Sequence, residues 1–334
     1  MTFLARAQRI GKRYQNPVPT MIGGLSMLPK VFYQYLRNQE ERVPRQTPGP
    51  FRTDPRIFEQ PPSSGLRISW FGHSSTLVEI DGVRVLIDPV WDERAAPVQW
   101  AGPRRFFPPT LPLAELPRID VVLISHDHYD HLGAGTVRLL AKQDATAHAW
   151  WVTPLGVGAF LQSLGVPAAR LQELDWTGSV SIRGLKITAL PSRHFSGRSL
   201  WNRFHTLWAS FVLEGPSHRV FYGADSGEWP GFAEIGQQFG PFDLTMLEIG
   251  AFHPLWSDIH MGPEGAVRSF QGLGGGGLLM PIHWGLFDLA LHGWRQPIDR
   301  ISSHGALKLW SPTPGEPTEV QAGVELRSTW WRQS

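Results

Sequence analysis

The densest chemistry in the chain is the run Ser125-His126-Asp127-His128-Tyr129-Asp130-His131. It follows four apolar residues, Val121-Val122-Leu123-Ile124, which read as a buried strand. His126 and His128 stand two positions apart, so in an extended segment both imidazoles leave on the same side. Asp130 and His131 come next and can serve a second point a few ångströms away. Such a layout suits two cations held close together.

Three later apolar runs end in residues that can complete the set. Residues 187–190 lead to Pro191-Ser192-Arg193-His194, residues 220–224 to Asp225-Ser226-Gly227, and residues 278–282 to His283-Trp284-Gly285. A lone histidine at a strand end is usually structural. Several in this order place the polar chemistry along one rim. One cation takes His126, His128 and His194. The other takes Asp130, His131 and His283, and the two oxygens of Asp225 bridge both. Two metals roughly 3.5–4 Å apart hold a shared water and lower its pKa from ~15.7 toward ~7. That yields a hydroxide nucleophile at neutral pH, with Asp130 and Asp225 close to it. The chain has no cysteine, so thiolate zinc sites and cysteine nucleophiles are excluded. Imidazole and carboxylate ligands suit two divalent ions, zinc first, with iron or manganese as alternatives.

The elements that must position these groups are mainly strands. Expected strands lie at 67–70, 76–80, 83–88, 121–124, 150–153, 179–182, 186–190, 207–214, 219–223, 244–249 and 278–283. Asp81-Gly82 and Arg183-Gly184 mark tight hairpins. Helices are expected at 135–142, 155–164, 263–271 and 287–292. This pattern fits two stacked sheets with helices outside. The run Gly274-Gly275-Gly276-Gly277 lacks a following Lys-Ser/Thr, so it reads as a turn and not a phosphate loop.

Residues 1–64 read as an N-terminal arm and linker packed on a main domain spanning 65–334. Within the arm, the mixed apolar segment 21–36 is broken by Gly23, Gly24 and Pro29. It is expected to be a helix on the main domain, with an amphipathic membrane-surface helix as the alternative. Residues 42–64, rich in Pro, Arg and Ser, read as an extended wrap. A net charge of +2 and the absence of a Lys/Arg run argue against a nucleic-acid partner. No stretch approaches the ~20 apolar residues of a membrane span, and Arg6-Ala7-Gln8-Arg9 precedes any apolar core. A cytoplasmic location is expected, with peripheral contact to the inner membrane through the arm as an option.

At these residues the chain resembles the metallo-β-lactamase superfamily of hydrolases, from about residue 65 to the end. Trp70-Phe71-Gly72-His73-Ser74-Ser75-Thr76, Leu86-Ile87-Asp88-Pro89, Ile259-His260-Met261-Gly262-Pro263-Glu264 and Pro281-Ile282-His283-Trp284-Gly285 are similar to the branch that contains N-acyl-phosphatidylethanolamine-hydrolysing phospholipase D. The L-ascorbate-6-phosphate lactonases share the scaffold. Asn16-Pro17-Val18-Pro19-Thr20 extends the likeness into the arm. The resemblance implies an α/β fold, specifically a four-layer α/β/β/α sandwich with a dinuclear site at one sheet edge. It carries the ligand roles onto the seven residues above. It implies that Asp88 lies behind the ligands and accepts a hydrogen bond from a ligand imidazole. It also implies that His260 sits near substrate, where it can donate to a phosphate oxygen or protonate a leaving group; a histidine at a helix start is the alternative. For His73, packing explains the residue as well as chemistry does. His292 is expected in the core or on the surface.

The implied activity is hydrolysis of a phosphodiester, with a phospholipid such as N-acyl-phosphatidylethanolamine as substrate. A lactonase or esterase using the same site is the alternative, and a metal-binding partner or sensor without turnover is a third reading. The 15 tryptophans bear on this choice. Trp201, Trp208, Trp229, Trp256 and Trp284 fall near the inferred site and suit a lipid-like ligand, or else they fill the core. The expected partners are a small-molecule or lipid substrate and, by self-association, a second copy in a homodimer.

Overall fold

The computed structural model describes residues 2–23, 28–37, 39–305, 307–321 and 328–333. A short hairpin, β1 (Arg9–Ile10) and β2 (Arg13–Tyr14), opens the chain and is followed by helix α1 (Leu28–Arg37). The first sheet is built from β3 (Leu66–Gly72), β4 (Ser75–Ile80), β5 (Val83–Ile87), β6 (Val121–Leu123), β7 (Trp150–Pro154) and β8 (Leu171–Leu174). Helices α2 (Ala134–Leu140) and α3 (Gly158–Ser163) interrupt this series. The second sheet holds β9 (Ser179–Ile182), β10 (Leu185–Leu190), β11 (Ser210–Glu214), β12 (Arg219–Tyr222), β13 (Leu244–Glu248) and β14 (Leu278–Ile282). Helices α4 (Gly231–Phe239) and α5 (Gly262–Gly272) fall between its last strands; α6 (Gln296–Ser302) and β15 (Thr318–Glu319) follow. The sheet orders are β15-β3-β4-β5-β6-β7-β8 and β14-β13-β12-β11-β10-β9.

Side-chain alternation explains the layers. On β5, Val85 and Ile87 enter a core shared with Ile187, Phe211, Tyr222 and Met246 of the second sheet. Leu86 points to the opposite face, where it meets Val122, Val137 of α2 and Leu161 of α3. Phe232 of α4 and Phe270 of α5 cover the far side of the second sheet. The order helix, sheet, sheet, helix follows, as expected for this fold class.

Parallel pairing sets where the chemistry emerges. Strands β5, β6, β7 and β8 are mutually parallel, as are β12, β13 and β14. The strand β10 pairs antiparallel with β11, which pairs antiparallel with β12, so β10 and β12 run the same way. The loops after β5, β6, β10, β12, β13 and β14 therefore open along one edge.

Most expected elements are present within a few residues. Asp81 and Gly82 turn the β4–β5 hairpin at φ 47° and 82°, as a tight turn with both central residues left-handed requires. The helix expected at 287–292 does not form. Gly285 sits at φ 74°, Asp288 is engaged by Arg42, and Phe287 is buried. The helix begins instead at Gln296, with Pro297 in its first turn. Of the tryptophans expected near the site, Trp208, Trp229 and Trp284 are buried in the core, Trp256 is half-buried and Trp201 is exposed. Trp284 stacks on Trp70 and Trp330 at 5.4 and 5.3 Å.

Arm residues reach the main domain by hydrogen bonds. Tyr14 N donates to Phe204 O, and Met21 N to Asp258 Oδ2, each at 2.8 Å. On α1, Phe32 and Leu36 are largely exposed. Gly24, one expected break in this segment, lies outside the described residues. Among the described residues no helix is long and apolar enough to cross a membrane.

Candidate metal centre

The run 125–131 leaves β6 between two buried parallel neighbours and turns at once into the sheet edge. His126 Nε2 comes within 2.9 Å of His128 Nδ1, and His194 Nε2 within 3.3 Å of the same atom. Asp225 Oδ2 lies 3.8 Å from His126 Nε2 and 3.6 Å from His194 Nε2. Tetrahedral zinc with bonds of ~2.0–2.1 Å needs ligand atoms about 3.3 Å apart, and these spacings bracket that value.

A second group adjoins the first. Asp130 Oδ2 is 3.5 Å from His131 Nε2 and 3.1 Å from His283 Nε2. Asp225 closes this group too, with Oδ1 at 3.2 Å from His131 Nε2 and Oδ2 at 3.1 Å from His283 Nε2. One carboxylate thus touches both clusters. His131 Nε2 and Asp225 Oδ1 are buried and face each other without hydrogen-bond geometry, an arrangement proteins rarely leave unexplained. Convergent buried nitrogens and oxygens of this kind fit divalent cations.

The outer faces of the imidazoles are pinned. His131 Nδ1 meets Asp88 Oδ2 at 2.7 Å. Asp88 also accepts from Ser125 N at 2.7 Å, from Ser125 Oγ at 2.5 Å and from the Tyr222 hydroxyl. His194 Nδ1 meets Ile259 O at 3.0 Å, and Ser125 Oγ lies 2.9 Å from His126 Nδ1. Asn16 brackets the His194 backbone, accepting from its N at 3.0 Å and donating to its O at 2.7 Å. The backbone is strained here: His73, Asp88, Ala224 and His283 adopt φ of 56°, 39°, 49° and 62°. Non-glycine residues hold this region only where surrounding structure enforces it.

Charges divide the site. Burial pushes the His126 imidazole well below its usual range, and His131 and His128 push the same way. Burial likewise lowers His194 against the pull of Asp225. Burial opposes charge on His131 and His283 as well, but Asp225 and Asp130 outweigh it. His131 rises well above its usual range and His283 to about 10. The carboxyls of Asp130 and Asp225 resist burial because the neighbouring imidazoles hold them well below their usual range.

The structure brings all seven sequence-predicted ligands into these two groups, with Asp88 behind them. His260 stands at the edge, its ring centroid 5.1 Å from that of His194 and 5.2 Å from that of His283. His73 is buried, with Nε2 at 2.9 Å from Asp130 Oδ2, which makes it a neighbour of the second group and not only a packing residue. His292 lies outside the groups, stacked on Phe252 at 4.7 Å. Sequence reading missed Glu248. It is fully buried at the end of β13, with Oε2 2.5 Å from His260 Nδ1. Its Oε1 accepts from Ser226 N at 3.1 Å and Met261 N at 3.0 Å. Burial raises its carboxyl, and His260 only partly opposes this. The one available signal was an acidic residue closing the apolar run Leu244-Thr245-Met246-Leu247.

Comparison with known proteins adds four findings. A family model described as the beta-lactamase superfamily domain matches residues 83–284. An uncharacterized protein of Mycobacterium tuberculosis is 45% identical over 295 residues, covering 87% of this chain and 76% of its own. N-acyl-phosphatidylethanolamine-hydrolyzing phospholipase D 1 of Caenorhabditis elegans is 32% identical over 328 residues, covering 89% of this chain and 87% of its own. Among solved structures, Igni18, a metallo hydrolase from the archaeon Ignicoccus hospitalis, matches with a TM-score of 0.57 at 20% identity, over 76% of this chain and 97% of its own. At that identity the likeness speaks for the fold alone.

Proposed function

Because the chain belongs to the metallo-β-lactamase superfamily and is a metal-dependent hydrolase, we propose that it cleaves a phosphodiester, in a phospholipid such as N-acyl-phosphatidylethanolamine, with two divalent cations of which zinc is the first choice. The observation that carries the two-cation reading is Asp225, whose carboxylate lies within 3.1–3.8 Å of imidazoles from both groups. The choice of substrate rests on the identity to the nematode phospholipase over nearly nine-tenths of the chain.

In this reading His126, His128 and His194 hold one ion, and Asp130, His131 and His283 the other. Bound there, the pair supplies Lewis acidity, lowering the pKa of water from ~15.7 toward ~7 and polarising the phosphoryl group. Every other step belongs to the chain. Asp88 fixes His131 so that Nε2 faces inward, and Ile259 O does the same for His194. His73 Nε2, beside Asp130 Oδ2, holds that carboxylate in place. His260 offers Nε2 to the leaving oxygen while its Nδ1 stays on Glu248.

The test pairs metal analysis of the purified protein with turnover of N-acyl-phosphatidylethanolamine, a small phosphodiester and a lactone. Two ions per chain and diester cleavage exceeding lactone cleavage are expected. Faster lactone turnover would move the chain to the lactonase reading, and metal without turnover to a binding role.

A further inference from the structure

Away from the histidine cluster, a cavity of about 660 Å³ is lined by four arginines and two carboxylates. Three of the arginines are already matched. Arg42 pairs with Asp288, Arg104 Nε lies 2.5 Å from Glu93 Oε1, and Arg45 Nε lies 3.5 Å from Glu41 Oε1. The fourth, Arg105, is different. It is 7% exposed and touches no carboxylate among the described residues. Its Nε donates to Phe107 O at 2.8 Å, and its buried Nη1 has no partner.

A buried cation with no carboxylate in contact is costly to keep. Burial lowers the Arg105 pKa to about 10, with Glu93 and Asp92 opposing, so the group stays charged at neutral pH. Packing alone would be served better by a methionine or leucine. A guanidinium fork matches the oxygens of a carboxylate or phosphate, which makes an anion the fitting counterpart. The cavity is too large for an inorganic oxyanion alone, and Val43, Pro103, Phe106 and Phe107 give it apolar walls. Its size falls in the range of organic-ligand pockets.

We propose that this cavity is a binding site for a small organic anion, its phosphate or carboxylate on Arg105 and its apolar body against Phe106 and Phe107. The site is separate from the histidine cluster but adjoins it. Arg42, Phe106 and Asp288 form a shared wall, since they also border the recess containing His283 and Trp284. The inference does not depend on the substrate proposed above.

Calorimetric titration of the metal-loaded protein with hexyl phosphate, hexanoate and inorganic phosphate tests it. Hexyl phosphate or hexanoate is expected to bind more tightly than inorganic phosphate, and the stronger of the two should weaken at least tenfold in Arg105→Met. Because Arg105→Met removes a buried group, the surface pair Arg45→Gln/Arg104→Gln serves as a second variant; it is expected to weaken binding about threefold through loss of positive field. Binding must persist in Asp225→Ala, which disables the histidine cluster. Equal affinity in wild type and in both arginine variants would overturn the proposal. So would binding that vanishes in Asp225→Ala but survives in Arg105→Met.

Discussion

Glu248 Oε2 lies 2.5 Å from His260 Nδ1, and the other oxygen of the same carboxylate accepts two backbone N–H groups. The contact holds the His260 ring with Nδ1 on Glu248, beside the rings of His194 and His283. The pairing is the familiar one of a buried carboxylate orienting an imidazole for proton transfer. Glu248→Gln cannot restore it, because an amide offers one acceptor where two are used. The variant should keep both metals and lose roughly 10²-fold in kcat, with a smaller change in KM. Steady-state kinetics beside elemental analysis decide it; loss of metal would mean that Glu248 supports the ligands instead.

His128→Ala and Asp225→Ala should each abolish turnover and lower metal content, Asp225→Ala more, because its carboxylate touches both groups. His260→Ala should retain the metals and lose turnover. Metal per chain and rate, measured on the same preparations, separate the two classes. Wild-type rates in either ligand variant would sink the mechanism.

Asp88 accepts from Ser125, from the Tyr222 hydroxyl and from the His131 ring. Asp88→Ala removes that anchor and should lower metal affinity about 10–100-fold. Competition with a chromophoric chelator measures the change. Unaltered affinity would leave Asp88 as a turn residue before Pro89.

Metal binding should release protons at neutral pH. In the metal-free protein His283 is raised to about 10 and His131 well above its usual range, chiefly by Asp225 opposing burial. Both therefore carry protons at pH 7 that a cation must displace. His126 and His194, held low by burial, are already neutral there and contribute none. The apparent affinity should then rise as pH increases through the neutral range and level off above about 10. A pH indicator in weakly buffered protein reads the release on adding zinc; no release would contradict this charge arrangement.

Local spacing made much of the framework readable. Apolar runs bounded by Asp-Gly and Arg-Gly turns mark strands, since both central turn residues need left-handed φ that these pairs tolerate. The helix expected at 287–292 failed because its residues answer to separate tertiary partners. Asp288 goes to Arg42, while Phe287 goes to the core near His73. Periodicity cannot distinguish such a loop from a helix. His73 was ambiguous for the same reason, as its neighbour Asp130 lies far away along the chain.

What the sequence by itself determined was the inventory: imidazoles and carboxylates at the ends of apolar runs, no thiols, and the spacing within 125–131 that commits one loop to ligation. Spacing governs only side chains that share a strand or loop. Which buried acid holds His260, and which arginine was left with no carboxylate in contact, were decided by tertiary structure. Those relations join residues of different strands, across distances that only the stacking of the two sheets makes short.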